Sequence, residues 1–154
     1  MGHTFSSILI HVIFGTKDRR PLIGDFRQRL YEYLAGVARQ EFGHAIRIGG
    51  TENHLHGLLK VNTNISVADA MKKWKSLSSG WLHKSVPAAS GFEWQRGYGA
   101  FSVSQSNVAG VIEYIENQAA RHKALTFEEE FLTFLRRHRI EFDPGTVWED
   151  SFGG

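Results

Sequence analysis

Two imidazoles stand two residues apart in Asn53-His54-Leu55-His56-Gly57-Leu58-Leu59, within an apolar, strand-like run. Residues i and i+2 of a β-strand project from one face, so His54 and His56 offer two convergent nitrogen ligands, half of a metal site. Farther along, Val111-Ile112-Glu113-Tyr114-Ile115-Glu116-Asn117-Gln118 reads as a helix that carries Tyr114 and Gln118 four apart on one face, a nucleophile and a third ligand. A phenol with a pKa near 10 is a poor nucleophile at neutral pH, and a phosphodiester repels an anion. A divalent cation lowers both obstacles. Two imidazoles and an amide oxygen leave about three positions of an octahedral shell for phosphate oxygens and water, which suits Mg²⁺ or Mn²⁺. The combination points to metal-assisted attack by a tyrosine on a phosphodiester.

The His-x-His spacing says little by itself, because eight histidines in 154 residues produce on the order of 0.4 such pairs by chance. Its setting says more. Leu55, Leu58, Leu59 and Val61 mark a buried strand, where imidazoles need partners. On the later helix Val108, Val111, Ile112, Ile115 and Ala119 form one apolar stripe, and Tyr114 and Gln118 fall roughly 80 to 120° to its side. Gly110, one turn before Tyr114, leaves the phenol uncrowded. His11 and His122 are read as structural or solvated and left out of the metal site.

The elements that must position these residues follow from periodicity. Ser7 to Phe14 reads as a buried first strand, ended by Lys17-Asp18-Arg19-Arg20-Pro21. Asp25, with Gln28 in capping-box position, opens a helix whose stripe is Phe26, Leu30, Tyr33, Leu34 and Val37, running to Gly43. His44 to Ile48 and His54 to Val61 form a hairpin around Gly49-Gly50. Ser66 and Asp69 cap a second helix with the stripe Val67, Met71, Trp74, Leu77 and Trp81. Tyr98 to Ser104 is a fourth strand, Asn107 to Arg121 a third helix, and Phe127 to Arg139 a fourth, charged helix before an Asp143-Pro144-Gly145 turn. The order βαββαβ plus a helix predicts an α+β fold, a ferredoxin-like or RRM-like antiparallel sheet with helices on one face and a catalytic C-terminal helix.

Composition sets outer bounds. One domain over 1–154 accounts for the length, with a core over about 5–122 and a C-terminal helical extension over about 123–154. With no cysteine there is neither a disulfide framework nor a thiolate zinc site. No signal-like start and no bilayer-length apolar run is present, so a cytoplasmic protein without a membrane partner is expected. A net charge of +2 permits a nucleic-acid partner without requiring one.

His54-Leu55-His56, Tyr114 within Tyr-Ile-Glu-Asn-Gln, and Gln118 one turn later together resemble the motifs of the single-tyrosine transposases of the HUH nuclease superfamily, including the REP-associated tyrosine transposases. The likeness runs from Ile-His-Val-Ile-Phe-Gly-Thr-Lys in the first strand through Gly97 to Val103 and into the tyrosine helix. It implies a bacterial, nucleoid-associated transposase and endonuclease that cleaves single-stranded, hairpin-containing DNA at element ends. Tyr114 would form a 5′-phosphotyrosine link and free a 3′-OH, with His54, His56 and Gln118 on the cation. It also implies a homodimer, in which the histidines of one subunit meet the tyrosine of the other, whereas REP-associated relatives can act as monomers. Lys72, Lys73 and Lys75, with Arg19, Arg20 and Arg96, are candidates for phosphate contacts, and Trp94 or Tyr98 for stacking an exposed base. The rival reading is a non-catalytic RRM-like binder of single-stranded nucleic acid that stacks bases on Tyr98 and Phe101. A metal-dependent phosphohydrolase without a covalent intermediate is a third.

Overall fold

A computed structural model describes residues 2–149; Met1 and residues 150–154, the end of the expected extension, lie outside the described residues. Four strands, β1 (Leu9–Gly15), β2 (Gly43–Gly50), β3 (His54–Val61) and β4 (Gly99–Ser102), form one antiparallel sheet in the order β2-β3-β1-β4. Helices α1 (Arg27–Glu41) and α2 (Val67–Ser85) make the two crossovers, and α3 (Val108–Glu116), α4 (Gln118–Arg121) and α5 (Phe127–Arg137) follow β4. This is the predicted ferredoxin-like βαββαβ order with additional C-terminal helices.

Both central strands are buried on both faces because both faces are covered. Val12 and Phe14 of β1 and Leu55, Leu59 and Val61 of β3 enter the main core with Leu30, Leu34 and Val37 of α1 and Met71, Trp74 and Leu82 of α2. The opposite face carries His11 and Ile13 of β1 and His54 and His56 of β3. There Phe127, Phe131 and Leu135 of α5 close on Ile13 and Phe101 as a second, smaller core. The charged C-terminal helix is thus amphipathic. Its start is set by a full capping box between Thr126 and Glu129, a pattern legible in Thr126-Phe127-Glu128-Glu129 but not singled out above.

Other local expectations shift. Phe26, without a side-chain cap, precedes α1, so the Asp25 to Gln28 capping box does not form. Ser66 does cap α2, accepting from Asp69 N at 3.0 Å. The buried side of α2 is Ala70, Met71, Trp74, Ser78 and Leu82, while Leu77 is 40% exposed and Trp81 stacks on Tyr33 at the rim. One amphipathic stripe fits two neighbouring rotations of a helix, and the Trp74 indole, donating to Leu34 O at 2.9 Å, selects this one. The expected third helix is interrupted at Asn117 (φ −95°, ψ 19°), so α3 and α4 are separate. Asparagine competes with the helical backbone. Here the Gln118 side-chain amide donates to Tyr114 O at 3.4 Å, using the carbonyl that a continuous helix would pair with the Gln118 N–H.

Glycines let the second layer approach the histidine face. A Cβ on Gly49 would stand 2.6 Å from Ile115 O of α3, and one on Gly15 would stand 2.7 Å from the Phe127 ring of α5. Both helices therefore rest on nearly bare backbone.

Candidate active site

The strand places His54 and His56 side by side at 0% exposure, as the alternation requires. Each is anchored through Nδ1. His54 Nδ1 lies 2.9 Å from both Asn53 Oδ1 and Thr51 Oγ1, and His56 Nδ1 lies 2.8 Å from His11 Nε2. Asn53 Oδ1 can only accept, so His54 carries its proton on Nδ1 and turns an Nε2 lone pair inward. Buried His11, read from sequence as structural, is thus a backing partner for His56. Burial, reinforced by the neighbouring imidazole, pushes the His11 pKa down to about 3. Burial likewise lowers that of His56, against the opposing pull of Glu130.

From the other side α3 and α4 bring Tyr114 and Gln118. Gln118 is 1% exposed, and its Oε1 lies 2.9 Å from His54 Nε2 and 3.1 Å from His122 Nε2. Its amide nitrogen donates to Glu130 Oε2 at 3.1 Å, which fixes the oxygen toward the imidazoles. Tyr114 is half-buried at the stripe's edge, with its hydroxyl donating to Glu130 Oε2 and the Arg121 guanidinium 4.2 Å from its ring centre. Burial and the adjacent carboxylate both raise the phenol's pKa, so the resting hydroxyl is a neutral donor.

Two members were not expected. Glu130 of α5, 1% exposed, places Oε1 3.0 Å from His56 Nε2, 3.2 Å from His122 Nε2 and 3.4 Å from His54 Nε2. Burial alone would raise this carboxyl, but the surrounding His54 and His56 imidazoles and the Tyr114 hydroxyl outweigh it and hold the group ionised well below the usual carboxylate range. His122, left out above as structural or solvated, turns inward where the chain leaves α4. Ligand atoms of His54, His122 and Glu130 lie within 4.8 Å of one another. The sequence hints at Glu130 only through its helical spacing with Phe127, Phe131 and Phe134, which does not reveal its burial; for His122 it offers nothing beyond residue type.

The donor set suits a cation. The His54 Nε2 lone pair faces two oxygens that can only accept, Gln118 Oε1 and Glu130 Oε1, so a positive charge, either a proton or a metal ion, must stand among them. His54, His122 and Glu130 could hold such an ion, with Gln118 and His56 alongside. The expected trio of His54, His56 and Gln118 lies in this cluster, with Gln118 Oε1 nearer than Glu130 Oε1 to both the His54 and His122 imidazoles, and His122 and Glu130 join it as further potential ligands.

The residues suggested for DNA separate into two places. Lys72, Lys75, Trp94 and Arg96 line one cleft of about 330 Å³ beside α2. Trp94, however, is 9% exposed, packs edge-on against Phe14 and Phe92, and donates to Ser78 Oγ at 3.0 Å; it is a core residue, not a stacking platform. Lys75 donates to Gly97 O at 2.7 Å, and Lys73 pairs with Glu41 at 3.0 Å. Tyr98 is half-buried against the main core. Arg19 lines a polar cleft of about 440 Å³ that reaches His122 and Asn53, and its guanidinium lies against Glu128 and the Trp148 ring, while Arg20 is exposed nearby. Phe101, the rival reading's platform, is 3% exposed beneath α5. Among the described residues no helix is long and apolar enough to cross a membrane.

The family model described as "Transposase IS200 like" matches residues 4–118, which takes in all four strands and both Tyr114 and Gln118. No curated protein matches the sequence. Among solved structures, a candidate transposase from Deinococcus radiodurans R1 shares 24% identity over 77% of this chain and 96% of its own, with a TM-score of 0.58. A REP-associated tyrosine transposase bound to a REP hairpin shares 12% identity over 79% of this chain and 72% of its own, with a TM-score of 0.59. These two are likenesses of fold. The family match, covering well over half of the sequence and ending on the residue that meets His54, is decisive: the chain belongs to the IS200-like transposases.

Proposed function

We propose that this protein is a metal-dependent transposase that cleaves and rejoins single-stranded DNA, with Tyr114 as nucleophile. The observation that carries the reading is the convergence, within one chain, of the Tyr114 hydroxyl, the Gln118 amide, the imidazoles of His54, His56 and His122, and the Glu130 carboxylate. The cation would be Mg²⁺, Mn²⁺ or a related divalent ion held by His54, His122 and Glu130. When bound, it would polarise the phosphate oxygens and offset the carboxylate charge that keeps the phenol protonated.

In the cleavage step the Tyr114 oxygen bonds to phosphorus and the bond to the 3′-oxygen breaks, giving a 5′-phosphotyrosine and a 3′-OH. The phenol's proton balances the one that the 3′-oxygen gains, so the step needs no ATP, and the reverse step rejoins strands. Glu130 holds the phenol in place, Gln118 donates to that carboxylate and to the Tyr114 carbonyl, and Arg121 beside the ring favours an anionic substrate. Hairpin DNA is the substrate class to try first, since the REP-associated transposase of similar fold is bound to one. The exposed Lys72 and Arg96 supply candidate phosphate contacts. Convergence of every member within one chain supports a tyrosine acting in cis, and the homodimer expected from the sequence is compatible with that arrangement. Burial of Phe101 weighs against a binder that stacks bases on the open sheet.

The test is incubation of the full chain with labelled single-stranded and hairpin DNA from the flanks of its gene, with denaturing electrophoresis to reveal a protein–DNA adduct. Wild type should give a cation-dependent adduct. Tyr114→Phe should bind DNA and give none. An adduct in that variant would dismiss Tyr114 as nucleophile, and a phosphodiester cut with no adduct in wild type would favour a hydrolase.

A further inference from the structure

His122 and Glu130 both lie beyond residue 118, where the family match ends, yet with His54 they bring three ligand atoms within 4.8 Å of one another. We infer that the segment after the tyrosine helix is clasped to the core by the cation itself, and that the resulting donor set selects a first-row transition ion over Mg²⁺. This rests on the reading that a divalent ion binds at this cluster.

Three separate pieces of chain meet here: His54 from β3, His122 just after α4, and Glu130 from α5. Between them, residues 123–126 form a mostly exposed connection, and α5 is otherwise held by the small cluster of Phe127, Phe131 and Leu135 on Ile13 and Phe101. An ion shared by Glu130 and His54 would tie α5 to the sheet as strongly as the ion is bound. Selectivity follows from ligand type. Mg²⁺ prefers oxygen and retains water, whereas imidazole nitrogen suits the ions from Mn²⁺ to Zn²⁺. Here three Nε2 atoms surround Glu130 Oε1, and the tautomer of His54 is already set by Asn53 and Thr51. With His56 counted alongside His54 and His122, three imidazole nitrogens are within reach of the ion, one more than in the set of His54, His56 and Gln118.

Calorimetry on the full chain with Mn²⁺, Zn²⁺ and Mg²⁺ in turn tests the inference, using wild type, His54→Ala, His122→Asn and Glu130→Gln, each first shown to be folded in chelator by circular dichroism. Wild type should bind Mn²⁺ and Zn²⁺ at least about tenfold more tightly than Mg²⁺, and all three variants should weaken that binding at least about tenfold. Tryptic cleavage after Arg121 and Lys123 should slow on adding Mn²⁺ to wild type but not to Glu130→Gln. If His122→Asn and Glu130→Gln bind as wild type while His54→Ala does not, the clasp is wrong and a strand-borne cation site stands. If Mg²⁺ binds as tightly as Mn²⁺, the selectivity is wrong. Wild type that binds none of the three ions would overturn the cation reading and this inference together.

Discussion

Gly49→Ala probes how the tyrosine helix is seated. The new Cβ would stand 2.6 Å from Ile115 O and 2.8 Å from Ile115 Cγ2, where ordinary contact begins at 3.4 Å. The nearer obstacle is backbone, which cannot rotate aside, so α3 must retreat from β2 by roughly 0.8 Å. Tyr114 adjoins Ile115 and moves with it, away from a carboxylate anchored on α5. Overpacking of this size costs about 1–3 kcal/mol, read as a lower urea midpoint. A displacement near 1 Å in a reacting group costs up to about 100-fold in rate, so single-turnover adduct formation should slow by roughly 10- to 100-fold. Gly80→Ala in α2 is the control: nothing lies within 4 Å of its Cβ, and removing a mid-helix glycine should stabilise by about 0.5–1 kcal/mol without touching the site. The reasoning fails if Gly49→Ala stays within about 0.5 kcal/mol of wild type and its adduct rate within about threefold.

Stability in chelator should fall on acidification below pH 6.5. The folded state keeps His11 neutral to about pH 3 while the unfolded chain takes up a proton near 6.5, so the stabilisation is complete above 6.5 and is lost as pH drops. His11 alone gives a loss of roughly 2 kcal/mol between pH 7 and 5, and urea midpoints unchanged over that range would contradict it. Mixing Tyr114→Phe with His56→Ala subunits should restore no adduct if tyrosine and histidines act within one chain; recovery after verified subunit exchange would establish the trans arrangement. Lys72→Ala and Arg96→Ala should each weaken single-strand binding across sequences and lower the salt slope by about 1, whereas unaltered salt dependence would place the DNA elsewhere.

Strand alternation was enough to put His54 and His56 on one face, and helical spacing was enough to put Tyr114 beside Gln118, because both are local periodicities that do not depend on what packs against them. The ferredoxin-like order was legible for the same reason. Other features depended on contacts between distant segments. Whether Trp94 meets solvent or core is decided by Phe14 and Phe92, and the rotation of α2 by the fit of Trp74 under α1. Above all, a glutamate in a charged helix looks solvated in sequence. Only the docking of Phe127, Phe131 and Leu135 over Ile13 and Phe101 carries Glu130 into the imidazole cluster, and only the turn after α4 points His122 toward it. A group of potential ligands drawn from β3, the end of α4 and α5 has no spacing of its own along the chain. It exists only once the second face of the sheet is covered.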